Sequence, residues 1–268
     1  MTKNSIYNLA PKKRHAVIGM LHVPALPGAP LASSEFSKIK DFVVKDAKAL
    51  SDGGVDCLMM ENFGDVPFFP GRVPAHVVAM LTAVACEVRV TVNLPLGINV
   101  LRNDGLSALA VAVASGADFI RVNVLTGARV TDQGVIQGIA HDLLRYRSEL
   151  NANHIKILAD IDVKHSAPVA PRPIKDEVED TIKRALADAV IVSGAGTGKP
   201  INAQTLADVV AAAGDAPVIL GSGVNASNIR DFKSKAWGFI VGTSLKKDGR
   251  VENPVDVKRV KELMKVLN

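Results

Sequence analysis

Short apolar runs alternate along this chain with stretches in which apolar side chains return every three or four positions. The runs at 15–23, 57–62, 90–95, 119–124, 155–164, 189–194, 217–221 and 238–243 predict strands, because buried strands of a parallel sheet read as near-continuous aliphatic segments. The stretches at 37–52, 73–87, 103–115, 138–150, 175–187, 202–213, 226–234 and 254–267 predict helices. Several open on a cap or starter residue: Asn202, Asn225 and Pro254. Glycine-containing exits, "SDGGVDC" and "ASGADF", lead from a helix into the next strand. Eight strand–helix units without a long linker or a shift in composition predict one α/β domain, a single (β/α)8 TIM barrel over residues 15–268. A doubly wound open sheet is the alternative. Residues 1–14 read as a flexible N-terminal extension, with a basic lead-in at Lys12, Lys13 and Arg14.

The segment "ILADIDVKHSAP" (157–168) places Ile157, Ala159, Ile161 and Val163 on one strand face and Asp160, Asp162 and Lys164 on the other. In a barrel the outward face packs on helices, while the inward face turns polar at the C-terminal mouth, where barrel enzymes build their sites. The same gradient ends other strands: His22, Glu61 with Asn62, Thr91 with Asn93, Arg121 with Asn123, and Ser193. Candidate catalytic residues are therefore His22, Glu61, Arg121, Asn123, Asp160, Asp162, Lys164 and His165. Asn62, Asn93, Ser193, Gly194 and Thr197 are candidate ligand contacts. Two carboxylates on one strand face repel unless a cation lies between them. That cation can be Lys164, Arg121 or a metal, which makes Glu61, Asp160 and Asp162 candidate ligands of a divalent ion; nothing in the sequence requires a cofactor. Lys164 suits a structural ion pair with one Asp, or imine formation if desolvated near another cation.

"GSGVNASNI" (221–229) and "VGTSLKK" (241–247) supply glycine-rich turns after the last two strands. Backbone N–H groups of Gly223, Val224, Gly242, Thr243 and Ser244 can converge there on a phosphate, with Gly221 and Ser222 as further candidate phosphate-site residues. "SGAGTGKP" (193–200) is not a nucleotide P-loop: Ser193 stands where the first glycine belongs and Pro200 where the magnesium-binding hydroxyl belongs. It reads as the loop after strand six, with Thr197 and Lys199 facing the ligand.

Composition narrows the function classes. A net charge of +5 and 4% aromatic residues argue against a nucleic-acid platform. No apolar run reaches the ~18–20 residues of a membrane span, and peripheral membrane contact is left open. Cys57 and Cys86 sit in apolar contexts without metal-type spacing and read as reduced core residues of a cytoplasmic protein. The apolar loop "VPFFPGRVP" (66–74), with Phe68 and Phe69, suits either a lid or a homo-oligomer contact.

Four segments, "VIGMLHVPALPGAP", "GGVDCLMMENFGDVPF", "ADIDVKHSAP" and "VIVSGAGTGKP", resemble the BtpA/SgcQ family, and "GSGVNASNI" and "GFIVGTSLK" complete the pattern. The resemblance runs from about residue 15 to 266. It implies a TIM barrel of the ribulose-phosphate-binding type. It also implies mouth residues at His22, Glu61, Asn62, Asn93, Arg121, Asn123, Asp160, Asp162, Lys164 and His165. One family name comes from a cyanobacterial factor needed to accumulate photosystem I proteins, the other from a bacterial gene cluster of sugar-uptake type. Two expectations follow. One is an enzyme acting by acid/base chemistry, as isomerase, lyase or hydrolase, on a small phosphorylated sugar or nucleoside-like ligand. The other is a non-catalytic assembly factor of the photosystem I biogenesis type.

Overall fold

The computed structural model describes Leu9, residues 15–194 and residues 202–267. In chain order the elements are β1 (Ala16–His22), α1 (Phe36–Gly53), β2 (Cys57–Glu61), α2 (Ala75–Thr91), β3 (Leu96–Asn99), α3 (Gly105–Ser115), β4 (Phe119–Val122), β5 (Ala128–Thr131), β6 (Gly134–Gln137), α4 (Ala140–Glu149), β7 (Lys156–Ile161), β8 (Ser166–Pro168), α5 (Ile174–Glu179), β9 (Ala189–Val192), α6 (Ala203–Ala213), β10 (Val218–Leu220), α7 (Ile229–Phe232), β11 (Gly238–Val241) and α8 (Val257–Leu267). A π-helical turn, Asp180–Arg184, continues α5. Strands β1, β2, β3, β4, β7, β9, β10 and β11 close in that order into a parallel barrel, as the eight-unit pattern predicts. Among the described residues no helix is long and apolar enough to cross a membrane.

Strand alternation sorts the core into two. Leu58, Met60, Ile98, Ile120, Ile157, Ala159, Val190 and Val192 face outward into the larger cluster shared with the helices. Ile18, Met20, Cys57, Met59, Phe119, Leu158, Ala189, Ile191, Ile219 and Ile240 fill the barrel itself, and Leu9 packs on them. Phe119 dictates the residue beside it. A Cβ at Gly97 would stand 2.1 Å from its ring, so β3 carries a glycine where other strands carry a side chain.

Three expectations are corrected. Residues 90–95 are not a strand. The β-branched run Val88–Val92 suggests one, but burying Val84, Ala85 and Val88 keeps α2 helical to Thr91, and the strand follows Pro95. Tertiary burial thus overrides β propensity. Asn93 is consequently an exposed residue entering β3, at the end of the barrel opposite the mouth. Cys86 is exposed on α2, whereas Cys57 is buried as expected. The sequence pattern also missed a small antiparallel sheet, β6-β5-β8, which joins the loops after β4 and β7.

One charged pair lies wholly inside the helical layer. Lys246, just beyond the β11 loop, places Nζ 2.5 Å from Asp46 Oδ2 of α1 and 5.5 Å from the centroid of the Phe42 ring. Asp46 Oδ1 accepts the Val255 N–H at 2.7 Å. Lys246→Met should lower stability by roughly 3–5 kcal/mol in urea denaturation, because it strands the Asp46 carboxylate. Adding Asp46→Asn to that variant should recover much of the loss.

Candidate functional site

Parallel register brings the strand ends together. His22 pairs with Glu61 across β1–β2, and Glu61 with Asn99 across β2–β3. His22 and Glu61 lie two positions beyond inward Met20 and Met59, and Asn99 two beyond Gly97, where the Phe119 ring fills the space, so the polar layer sits directly on the apolar plug. Asn99 Nδ2 donates to Glu61 Oε2 at 2.5 Å.

Arg121 and Asp160 form the centre of this layer. Both are buried, and the guanidinium grips the carboxylate with Nε–Oδ2 at 3.0 Å and Nη2–Oδ1 at 2.9 Å. Asn123 Nδ2 adds a third bond to Asp160 Oδ2 at 2.6 Å. Arg121 Nη1 lies 3.9 Å from Glu61 Oε2. Burial works against the Arg121 charge, but Asp160 and Glu61 outweigh it and raise its pKa. Asp160 is therefore held by Arg121 rather than by Lys164.

Above the pair opens a cavity of about 450 Å³ whose wall includes His22, Glu61, Arg121, Lys164 and the loops Gly221–Asn225 and Gly242–Ser244. The sequence-predicted His22, Glu61, Arg121, Lys164, Gly221, Ser222, Gly223, Val224, Gly242, Thr243 and Ser244 thus meet around one space. Ser244 Oγ donates to the Val224 carbonyl at 3.0 Å, tying the two loops together. The backbone N–H groups of Gly223, Val224, Thr243 and Ser244 have no protein acceptor among the described residues. Gly242 must lack a side chain, since a Cβ there would stand 2.7 Å from the His22 ring. Arg259 of α8 reaches the same rim, 3.3 Å from the Ser244 carbonyl.

His22 packs edge-on against Phe63, and its Nδ1 is enclosed without a partner among the described residues. Burial, reinforced by Lys246, Lys164 and Arg121, lowers its pKa to about 3, so the ring is neutral near pH 7. Burial and the Arg121 charge lower the Lys164 pKa, against the opposing pull of Glu61 and Asp160.

Other candidates lie elsewhere. Asp162 was expected to face the interior. It adopts φ 50°, which ends the strand alternation, and its exposed carboxylate turns away from the mouth to pair with buried Arg129. His165, at φ 58°, is exposed on the same turn. Asn62 braces the second loop, accepting the Leu101 N–H at 2.7 Å and donating to Asp65 at 3.1 Å. It lines a separate apolar cavity of about 280 Å³ with Phe68 and Phe69. Ser193 Oγ is buried beside Gly221, and Gly194 is buried; Thr197 and Lys199 lie outside the described residues. The carboxylate set offered for a metal does not assemble, because Arg121 stands between Glu61 and Asp160 while Asp162 points away. Among the described residues no three His, Cys, Asp or Glu gather to hold an ion.

Sequence reasoning missed Asn99, Arg102 and Arg259. Arg102 Nη2 donates to the Lys164 carbonyl at 2.6 Å, and its N–H to the Phe69 carbonyl at 3.1 Å. For Asn99 the signal was the run "LGIN" (96–99), legible only once β3 is set after Pro95.

The BtpA family model matches residues 13–268. An uncharacterized protein of Thermococcus kodakarensis is 46% identical over 254 residues, covering 95% of each chain. The photosystem I biogenesis protein BtpA of Synechocystis sp. is 43% identical over 94% of this chain and 87% of its own. Among solved structures, N-(5'-phosphoribosyl)anthranilate isomerase from Pyrococcus furiosus has the same fold, with TM-score 0.58 and 14% identity, over 94% of this chain and 98% of that one.

Two outcomes are expected. Arg121→Met should cost roughly 3–5 kcal/mol by stranding Asp160, whereas Asp162→Asn should cost no more than about 1 kcal/mol, because the Asp162 carboxylate is exposed and buried Arg129 keeps Glu177 and Ser166 as partners. Urea denaturation of both variants checks the contrast. His22 favours the fold in its neutral form, so its contribution is complete above pH ~6.5. That contribution declines as pH falls towards 3. His22→Gln should flatten the loss of stability between pH 7 and 5, which otherwise approaches 1.4 kcal/mol per pH unit.

Proposed function

The chain belongs to the BtpA family, and from the chemistry of its barrel mouth we propose an enzyme that binds a small phosphorylated molecule and acts on it by proton transfer. The observation that carries this reading is one cavity with two unlike walls. One wall is a backbone cradle in which the N–H groups of Gly223, Val224, Thr243 and Ser244 have no acceptor among the described residues. Such a cradle suits a phosphate, and Arg259 at its rim suits the phosphate's second charge. The opposite wall holds Glu61, Arg121 and Lys164.

The roles follow from those environments. The phosphate anchors the ligand, so its reacting end lies against the polar layer and the binding energy of the anchor serves orientation. Arg121 is fixed by Asp160, which Asn123 holds in turn, leaving Nη1 near Glu61. A guanidinium held in advance stabilises an oxyanion without reorganising when charge develops. Glu61 takes and returns the proton. Neutral His22 polarises without competing as a cation. The phosphoribosyl compound in the name of the Pyrococcus furiosus isomerase supports the ligand class, in line with the ribulose-phosphate-binding type of barrel that the family resemblance implies.

The name of the Synechocystis relative supports a second reading, an assembly factor for a larger complex. Retaining charges inside the barrel has a cost in desolvation that a scaffold does not need, which favours the enzyme.

Ribose 5-phosphate, ribose and inorganic phosphate distinguish the readings in thermal melts. At a hundredfold excess over Kd, a ligand stabilises by about 2.7 kcal/mol, which raises Tm by roughly 5–10 °C at this chain length. The phosphorylated sugar should do so and ribose should not. Thr243→Asp, which puts a carboxylate at the cradle, should abolish the shift. No shift with the phosphorylated sugar, or an unchanged shift in Thr243→Asp, would overturn the phosphate reading.

A further inference from the structure

Lys164 is unlike the other charged groups of the mouth. Glu61 is held by Asn99 and lies beside Arg121, and Asp160 is held by Arg121 and Asn123. Among the described residues, no carboxylate oxygen lies within salt-bridge distance of the Lys164 amine, although the side chain lines the cavity. Its nearest cations, Arg121 and Arg102, are both buried and fixed. Its backbone is fixed as well: the Lys164 carbonyl accepts from Arg102 at 2.6 Å, and the flanking Asp162 and His165 take left-handed φ angles of 50° and 58°. The turn turns Asp162 outward while Lys164 reaches the cavity. An anion-binding lysine would need no such arrangement. A half-buried amine among fixed cations, with no carboxylate in salt-bridge contact among the described residues, is the arrangement that makes a lysine nucleophilic.

We propose that Lys164 forms an imine with the carbonyl carbon of the substrate, which makes the ligand a phosphorylated open-chain aldehyde or ketone; this rests on the phosphate reading given above. In its neutral form the Lys164 nitrogen attacks the carbonyl carbon and the carbon–oxygen π bond breaks, giving a carbinolamine. Glu61 relays the nitrogen's proton to the departing hydroxyl. The carbon–oxygen σ bond then breaks, and one water leaves. Counted from the ammonium, R–NH3+ and the carbonyl compound yield a protonated imine and one water. The reaction needs no oxidant or reductant. The protonated imine draws electrons from the adjacent carbon, so a proton or a carbon substituent there can leave. Burial supports the neutral amine in the same direction.

Borohydride tests the step directly. The intact chain is incubated separately with dihydroxyacetone phosphate, glyceraldehyde 3-phosphate and ribose 5-phosphate, then reduced and weighed by mass spectrometry. Hydride adds to the imine carbon, so the adduct weighs one ligand less one oxygen atom. A single adduct, mapped to the Lys164 peptide and missing in Lys164→Arg and Lys164→Met, is expected. Thermal melts with the same three compounds separate the two layers of the proposal. A melt shift without a Lys164 adduct, or with adducts scattered over surface lysines, overturns the imine and leaves phosphate binding standing. Neither shift nor adduct overturns both. Should the Lys164 variants fail to fold, the adduct's position in the unmodified sequence still decides.

Discussion

The bidentate contact between Arg121 and Asp160 is the constraint around which the mouth is organised. Both groups are buried, and each would carry a penalty of several kcal/mol alone. The pair must therefore form whenever the barrel closes, and its geometry fixes β4 against β7 at the level where the aliphatic plug ends. Asn123 takes up a remaining lone pair of the carboxylate, and Arg121 has one nitrogen left near Glu61. Glu61 is set in turn by Asn99, and the register of β1, β2 and β3 carries the order round to His22. A buried pair of this kind is weak evidence for stability, and a hydrocarbon filling could replace it. Its retention suits a site that needs a cation in one unvarying position.

The other half of the mouth is held from behind. The cradle at Gly242–Ser244 runs directly into Leu245 and Lys246, both buried, and Lys246 is bonded to Asp46 of the first helix. Asp46 also fixes Val255 just before the last helix. One carboxylate thereby clamps both ends of the segment that leaves β11, while Ser244 fastens that segment to the loop after β10. Loops at a barrel mouth are free to vary, and those that bind must be made rigid by contacts such as these.

What was legible in the sequence follows strand regularity. Where a strand stays regular to its end, as at His22, Glu61, Arg121 and Asp160, alternation assigns the inward face correctly. One residue with positive φ, Asp162, breaks the alternation and turns its own carboxylate outwards. Lys164 nevertheless reaches the mouth, because the turn directs it there. Asn93 was misplaced because valines that favour strands can also bury on a helix, and the choice between them is made by α2's neighbours. Arg102 and Arg259 carry no local pattern. Their positions depend on which loops come together, and that is a property of the closed barrel. The β6-β5-β8 sheet was hidden for the same reason, since β8 is a three-residue strand that acquires meaning only from its pairing with β5.

The plug beneath the polar layer has a kinetic meaning as well. Phe119 and its neighbours fill the barrel, and Leu9 packs on them. The vestibule above is therefore blind. Whatever enters past the glycine loops must leave by the same door, so for the enzyme proposed above release of product has to precede capture of the next molecule. On that proposal, turnover in such a cul-de-sac is coupled to escape of the phosphate from its cradle, and accumulated product competes for the same grip.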